Sequence, residues 1–584
     1  MNAIIEWLAL ATSSIVFACI AYIIDVSSEY LSDLRIGYCE IWYLNKKSCA
    51  EDFTNGNIFH YLFYSTLFGT IGTMLTLLAP RASGSGIPEV KVILSNVHIP
   101  QVLDFRTLII KAFGLVYGVG SGLMLGKEGP LVHISVALQS MFLLDNNLPL
   151  LSAATSAGVS CAFGTPIGGV LFSFEEVSHN FNPNIMWKCC LASLVSLVTL
   201  QFLNPFNNGK SVMFKVNYVN SFYIFELLNF ILLGIAGGLF GHFFIKFNMK
   251  RQQFKKKSFD EVILLSFVTA ILSYPFDFTF ISNSELIVQL FQPCHPDLPL
   301  CDPNFVLYNL FQLSIAILLK FVLMVVTFGS LIPAGIFIPS MVLGAICGRI
   351  LGILTNLYFP VNSGLYALIG AASFLSGTTR MTLSLVVIMF ELTNTPYFAL
   401  PIMMTILISK YVGGIFGPGI YDTLIAFRKY PYLPQLENLQ NQQIKLKVAT
   451  QPIKRIMEPI ECLQTGITIQ ALMLLEPKMY FICGNWILTP QSLTLICKFY
   501  GYAKNARICF IEENNMGDHG IELVGDELNL FPFITRLFIF LPETPISICC
   551  QVFEKMELNM ACVCEDEKLL GFISKEILVD YMRS

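Results

Sequence analysis

The sequence predicts an all-α polytopic membrane protein with broken helices in an inverted repeat, followed by a small cytosolic α/β domain. Three observations predict it. The 584 residues are 54% hydrophobic and only 13% charged, with a mean hydropathy of +0.64, whereas a soluble globular protein carries about a quarter charged residues. The apolar runs are short or interrupted by Gly and Pro, the pattern of discontinuous spans around a midplane site. Apolar character ends near residue 430: after Tyr430-Pro431-Tyr432-Leu433-Pro434 the chain turns polar from Glu437 to Lys447.

The apolar runs lie near residues 3–24, 59–80, 108–125, 147–172, 186–203, 223–245, 261–273, 308–330, 336–358 and 364–416. Met1 to Ile24 has no basic n-region and no small-residue cleavage site, so it reads as a first spanning helix and not a secretory signal. Several runs fall short of the about 20 residues a simple span requires. The membrane part divides into halves of about 1–205 and 222–430, which suggests the inverted repeat.

One pattern, Gly-x-x-x-Pro, recurs in both halves. It reads Gly84-Ser85-Gly86-Ile87-Pro88, Gly126-Lys127-Glu128-Gly129-Pro130 and Gly335-Ile336-Phe337-Ile338-Pro339. Proline is favoured in a first helical turn, where its missing N–H costs nothing, and glycine just upstream admits close approach to the backbone. A helix that starts this way directs free N–H groups and partial positive charge ahead of it. Within a membrane such an end must face a cavity or a ligand, and its natural ligand is an anion. Each helix end contributes about 0.3–2 kcal/mol to an anion, enough together to offset part of its dehydration without trapping it.

The net charge of −4 selects no partner, and nucleic acid is not an expected one. The basic cluster Lys250, Arg251, Lys255, Lys256 and Lys257 marks a cytosolic face and is equally compatible with a solvated turn. Among 17 cysteines no metal-like CxxC pair occurs. Cys294 and Cys301 are either a lumenal or extracellular disulfide or two free thiols. Cys189-Cys190 and Cys549-Cys550 read as packing residues. The seven histidines form no metal cluster, and no nucleophile–base set or Walker-type loop occurs, so an enzyme is not expected.

The domain layout is a transport part over 1–430, a linker over 431–450 and a soluble domain over 451–584. The last part of that domain reads as strand Leu537–Leu541, helix Ile546–Met556, strand Ala561–Cys564, a turn at Glu565-Asp566-Glu567, strand Leu569–Ile573 and helix Lys575–Met582, by the switch between period 2 and period 3.6. A poorer copy begins near Ile453, with a helix around Thr468–Leu475 and strand-like Met479–Cys483 and Trp486–Leu488.

On the three Gly-x-x-x-Pro segments, with Glu89, and on Gly168-Gly169-Val170-Leu171-Phe172-Ser173-Phe174-Glu175-Glu176, all in matching order and separation, the chain resembles the CLC family of chloride channels and chloride/proton exchangers over roughly residues 3–430. The stretch at Gly37, Tyr38 and Cys39 is similar to the eukaryotic intracellular branch, and the tail resembles that branch's paired CBS domains, the first one shortened. The resemblance implies chloride as the transported ligand, with the Ser85 hydroxyl and the Ile336 and Phe337 amides binding it. Serine at this position implies chloride preference, where proline is associated with nitrate. Tyr421 matches a phenol that hydrogen-bonds the same ion, although an apolar-flanked tyrosine also serves as packing with a satisfied hydroxyl. The Ser85 hydroxyl is also placed as an N-cap, a role with the same geometry.

Glu128 matches the gating glutamate. A carboxylate at an intramembrane helix start is costly without a partner or a task. Ionised, it can occupy the anion site itself; protonated, it loses that attraction and swings away, so one side chain is both gate and proton acceptor. The alternative is a capping carboxylate. Lys127 beside it reads as a counter-charge or a snorkelling residue. Glu176 matches the internal proton relay of exchangers, where channel members carry an apolar residue; a helix-end salt bridge is the other role open to it.

These matches imply a chloride/proton antiporter, a homodimer with one pore per subunit, in a Golgi, endosomal or vacuolar membrane, with the plasma membrane also open. A passive voltage-gated chloride channel and a transport-dead regulatory scaffold are the rivals. No cofactor is required. Adenine nucleotide at the CBS domains is not favoured: no clear Gly-Phe-Pro-Val type strand lies near Met479–Trp486, and Ile577 stands where a ribose-binding aspartate would be.

Overall fold

The computed structural model describes residues 2–36, 58–142, 147–178, 183–203, 222–254, 258–293, 306–393 and 396–433 of the transport part. In the tail it describes 451–458, 461–462, 480–482, 486–488, 507–509, 523–524, 527–529, 535–536, 538–556, 558, 560–565 and 568–583. Two compact units emerge, Met1–Leu94 with His98–Tyr430, and Ser95–Val97 with Pro431–Ser584. Cys294, Cys301, Lys255–Lys257, Gly37–Cys39, the helix near Thr468–Leu475 and most of the linker lie outside the described residues.

The first unit runs α1 (Asn2–Ile36), α2 (Ile58–Leu78), α3 (Ile87–Leu94), α4 (Phe105–Gly120), α5 (Glu128–Phe142), α6 (Leu148–Phe163), α7 (Pro166–Phe172), α8 (Pro183–Leu203) and α9 (Glu226–Phe254). It continues with α10 (Phe259–Ser273), α11 (Asp277–Phe280), α12 (Asn283–Phe291), α13 (Val306–Thr327), α14 (Phe337–Asn356), α15 (Ser363–Thr379), α16 (Leu383–Thr393), α17 (Ala399–Phe416) and α18 (Ile420–Phe427). Among the described residues, seven helical segments are long and apolar enough to cross a membrane: Ile5–Ile36, Ile58–Leu78, Pro183–Leu203, Glu226–Phe254, Val306–Thr327, Phe337–Asn356 and Ala399–Phe427. The long apolar runs of the sequence break where glycine or a helix cap permits it. Residues 147–172 become α6 and α7, parted at Gly164, which ends α6 in the left-handed region.

The first helix corrects the sequence reading. It does not stop near Ile24 but continues to Ile36. Its polar continuation is accommodated because Asp25 and Arg35 are buried and partnered, Asp25 by Lys127 at 2.8 Å and Arg35 by Tyr61 and Ser32. Arg251 likewise is no simple solvated residue: it pairs with Glu261 and donates to the Phe328 carbonyl at 3.2 Å.

Doubling is visible in the packing. α6 packs on α5 and α8, and α15 on α14 and α17. α6 ends at Gly164 with φ 71° and an N–H bond to the Ser160 carbonyl; α15 ends at Arg380 with φ 69° and the same bond to Ser376, both at 2.8 Å. Between the halves, α7 packs on α16, and each is capped by a carboxylate from beyond or within the other. Glu391 of α16 accepts from the Ile167 and Gly168 amides at 3.3 and 2.9 Å. Glu175, just past α7, accepts from the Thr382 and Ser384 amides at 2.7 and 2.8 Å. This exchange places each helix start beside the other's end, so α7 and α16 run antiparallel. Close helix contact comes from small residues: a Cβ on either Gly344 of α14 or Gly370 of α15 would fall 2.2 Å from the other's carbonyl oxygen.

Among its described residues the second unit holds three sheets. Strands β1 (Glu461–Cys462), β2 (Tyr480–Ile482), β3 (Trp486–Leu488) and β7 (Thr535–Arg536) form one in that order, and β4 (Arg507–Cys509), β6 (Glu527–Asn529) and β5 (Leu523–Val524) a second. The third is β10 (Lys568–Ser574), β9 (Met560–Glu565) and β8 (Phe538–Phe540), with β8 parallel and β10 antiparallel to β9. Helices α19 (Ile546–Lys555) and α20 (Lys575–Arg583) complete it, and Phe540, Cys549, Phe553, Val563, Ile573 and Leu578 share its core. Ile453 is buried in this same core, because residues 451–458 bond to the C-terminal repeat: Glu458 and Phe572 exchange both backbone hydrogen bonds at 3.0 and 2.9 Å. Cys549 and Cys550 are packing thiols here; burial, followed by the Glu554 charge, pushes the Cys550 thiol up to about 12.

Candidate functional site

Each Gly-x-x-x-Pro segment opens a buried helix, and the three openings meet. Gly126, ahead of α5, and Gly335, ahead of α14, form an antiparallel bridge. Ser85, ahead of α3, lies against α5: a Cβ on Gly129 would come 2.3 Å from the Ser85 Oγ. The α3 loop is itself compressed. Gly86 has φ 86°, and a Cβ there would sit 2.6 Å from the His133 Cβ and 2.9 Å from the Lys111 Nζ. Only glycine fits both the backbone conformation and the space. The fourth element, α18, packs on α3 and brings in Tyr421.

Ser85, Glu128, Ile336, Phe337 and Tyr421 are all buried, at 3%, 1%, 0%, 2% and 1% exposure. Phe337 is anchored edge-on to Phe163 at 5.5 Å between ring centroids and tilted to Phe172 at 6.3 Å. That anchoring fixes the α14 opening, whose first N–H groups have no intrahelical acceptor. The Ser85 Oγ, both Glu128 carboxylate oxygens and the Tyr421 hydroxyl have no hydrogen-bond partner among the described residues. More than nine buried polar groups in ten find a partner in native proteins, so four such atoms at one convergence of helix starts mark the candidate site for a small polar species.

The Glu128 carboxylate packs over Gly126, where a Cβ would fall 2.5 Å from Oε2. It is faced by its own amide, that of Ile338, the Lys127 ammonium and Asp25. Lys127 is thus a counter-charge, anchored to Asp25 of α1 at 2.8 Å with both side chains buried. A cavity of about 420 Å³ reaches Glu128, lined also by Lys127, Ile338, Asn283 and Lys320. The Lys320 amine donates to Asn283 at 2.8 Å.

Glu176 sits on the π-helical turn Ser173–Val177 that follows α7. Its Oε1 is 3.2 Å from the Lys91 Nζ, which is also 2.9 Å from Asp422 of α18. The Tyr421 phenol has the Ser85 hydroxyl beside it and interacts electrostatically with both glutamates singled out in the sequence, Glu176 and Glu128. Asp25, Lys91 and Asp422 went unnoticed there. A lysine six residues beyond Ser85, in a helix of eight whose one other charged residue is Glu89, was the available signal for Lys91.

Residues 67–414 match the family model described as voltage gated chloride channel. The chain is similar to H(+)/Cl(-) exchange transporter 3 of Homo sapiens, at 32% identity with 99% of this chain and 83% of that protein covered. It is similar to H(+)/Cl(-) exchange transporter 5 of Oryctolagus cuniculus at 33%, with the same coverage. Among solved structures, a eukaryotic CLC transporter aligns with a TM-score of 0.72 at 22% identity, over 99% of this chain and 98% of the other. A slow cyanobacterial Cl-/H+ antiporter aligns at 0.60 and 20%, over 73% and 98%. These two likenesses establish a common fold.

Proposed function

Because the chain belongs to the voltage-gated chloride channel (CLC) family, we propose that it exchanges chloride for protons across a membrane. One observation carries the proposal: the buried Tyr421 lies within electrostatic reach of two carboxylates, Glu128, buried where three helix starts converge, and Glu176, partly buried on the turn after α7. Chloride is held by the Ser85 hydroxyl, the Tyr421 hydroxyl and the Ile336 and Phe337 amides, all neutral donors that offset its dehydration without a fixed charge to trap it. Ionised Glu128 competes with chloride for these donors. Protonated, it withdraws, so chloride and a proton trade places at one side chain. Glu176 supplies the proton from the other side.

The reading extends to a homodimer embedded in lipid and to an organellar membrane of the Golgi, endosome or vacuole, by analogy with the family's intracellular branch. No cofactor is required, adenine nucleotide at the tail is not favoured, and the tail serves dimer contact and trafficking. The second reading, a passive chloride channel on the same scaffold, lacks proton coupling and leaves Glu176 as the salt-bridge partner of Lys91.

Proton movement in reconstituted protein under an imposed chloride gradient, with no initial proton gradient, separates the two. Uphill proton movement that disappears in Glu176→Ala, while chloride still moves, supports exchange; chloride flux without protons in the unaltered protein rejects it. Glu128→Ala is expected to uncouple the two fluxes. Loss of chloride flux in Ser85 variants disposes of the transport-dead scaffold.

A further inference from the structure

Glu175 and Glu176 are adjacent in sequence and opposite in employment. Glu175 accepts from the Thr382 and Ser384 amides and from both of their hydroxyls, the Ser384 hydroxyl at 2.7 Å. Its lone pairs are committed to the start of α16. Glu176 instead meets an amine that is shared. Lys91 joins it at 3.2 Å and Asp422 at 2.9 Å, and side-chain exposure rises along the row from 10% at Glu176 through 12% at Lys91 to 47% at Asp422. A single ammonium therefore connects an inner carboxylate to one in contact with water.

The row also has a side. Thr423, next to Asp422, lines a groove of about 560 Å³ together with Lys246, Lys250 and Arg380, the face that the basic residues mark as cytosolic. We propose that Asp422 is the water-facing carboxylate that loads Glu176 with protons through Lys91. The proposal rests on the exchange reading above. Asp422 first takes a proton from water. Lys91 then gives one ammonium proton to Glu176 Oε1 as its nitrogen accepts the Asp422 carboxyl proton. Glu176 ends as the neutral acid, Lys91 as the ammonium it was and Asp422 as the carboxylate, with one proton carried inward and no other bond changed. Asp422 is a relay group, and Lys91 both aligns and exchanges. The groups facing Glu176 are Lys91 from α3, Asp422 from α18 and Glu175 from its own turn, with Tyr421 of α18 on the pore side.

The test is chloride-driven proton flux in liposomes carrying the full chain, with pH varied on the Asp422 side. In Asp422→Asn the proton flux is expected to fall about a hundredfold, the low end of what a positioned proton-transfer group contributes, and to lose its dependence on pH at that face. Asp422→Glu should restore both. Lys91→Arg keeps the two ion pairs but cannot give up its proton, and should lose proton flux as Asp422→Asn does. Unaltered proton flux with unaltered pH dependence in either Asp422→Asn or Lys91→Arg overturns the relay, and the arginine variant decides alone should the asparagine one fail to fold. Coupling that vanishes in Glu176→Ala yet persists unchanged in Asp422→Asn rejects only the relay. Chloride flux without any proton movement in the unaltered protein rejects the exchange reading and the relay with it.

Discussion

Gly126 and Gly335 exchange both of their backbone hydrogen bonds, 2.9 Å from the Gly126 amide to the Gly335 carbonyl and 2.8 Å in return. The bridge locks the α5 opening to the α14 opening, so the helix start that carries Glu128 and the one that offers the Ile336 and Phe337 amides are held as one body. Their spacing is fixed by the absence of side chains. A Cβ on Gly335 would meet the Gly126 carbonyl oxygen at 2.8 Å and the Pro130 Cδ at 3.2 Å.

Gly335→Ala should therefore force the two openings apart by a few tenths of an ångström. Donor geometry at an anion site tolerates little of this, because hydrogen bonds weaken steeply with misalignment. Chloride flux in vesicles is expected to fall about tenfold, equivalent to about 1.4 kcal/mol, with the protein still folded by gel filtration. Unchanged flux would mean that the bridge does not set the pore geometry.

The ion pair of Lys127 with Asp25 makes a different kind of prediction. Both side chains are buried, and breaking a buried pair by removing one partner costs about 3–5 kcal/mol, most of it the stranded charge. Asp25→Asn should lower the thermal unfolding midpoint in detergent clearly. Adding Lys127→Met to it should recover part of the loss, since the double variant leaves neither charge. A double variant as unstable as the single one would show that Asp25 stabilises through some contact other than Lys127.

How much of this was legible in the sequence depends on how local the determinant is. The three Gly-x-x-x-Pro segments carry their own instructions, glycine for close approach and proline for a helix start, and they locate Ser85, Glu128, Ile336 and Phe337 at the convergence. The polar tail of α1 was missed because Asp25 looks like a helix end until Lys127, a hundred residues on, is seen to neutralise it. Lys91 and Asp422 lie 331 residues apart, and no periodicity in either segment announces the other. The opposite roles of Glu175 and Glu176 were likewise invisible, because what separates them is the start of α16.

That difference yields a comparison of neighbours. Glu175→Gln keeps one acceptor oxygen but loses the charge that strengthens its bonds to the α16 start, each worth about 1.5–3 kcal/mol when charged. Stability should drop by about that much, measured as the shift in denaturation midpoint. The ratio of chloride to proton flux should stay at its original value. A Glu175→Gln protein that is stable but uncoupled would transfer the relay role to Glu175.

The gate assignment fixes the sign of a pH dependence. Lower pH raises the protonated fraction of Glu128, and each protonation removes the carboxylate from the donors that chloride needs. Chloride flux should then rise as pH falls on the side where the 420 Å³ cavity reaches Glu128, and decline as pH rises and the carboxylate stays ionised. Glu128→Gln is neutral at every pH and similar in size. Its flux should be flat across the same range and carry no protons. A glutamine variant that keeps the original pH profile would place the titrating gate on some other group.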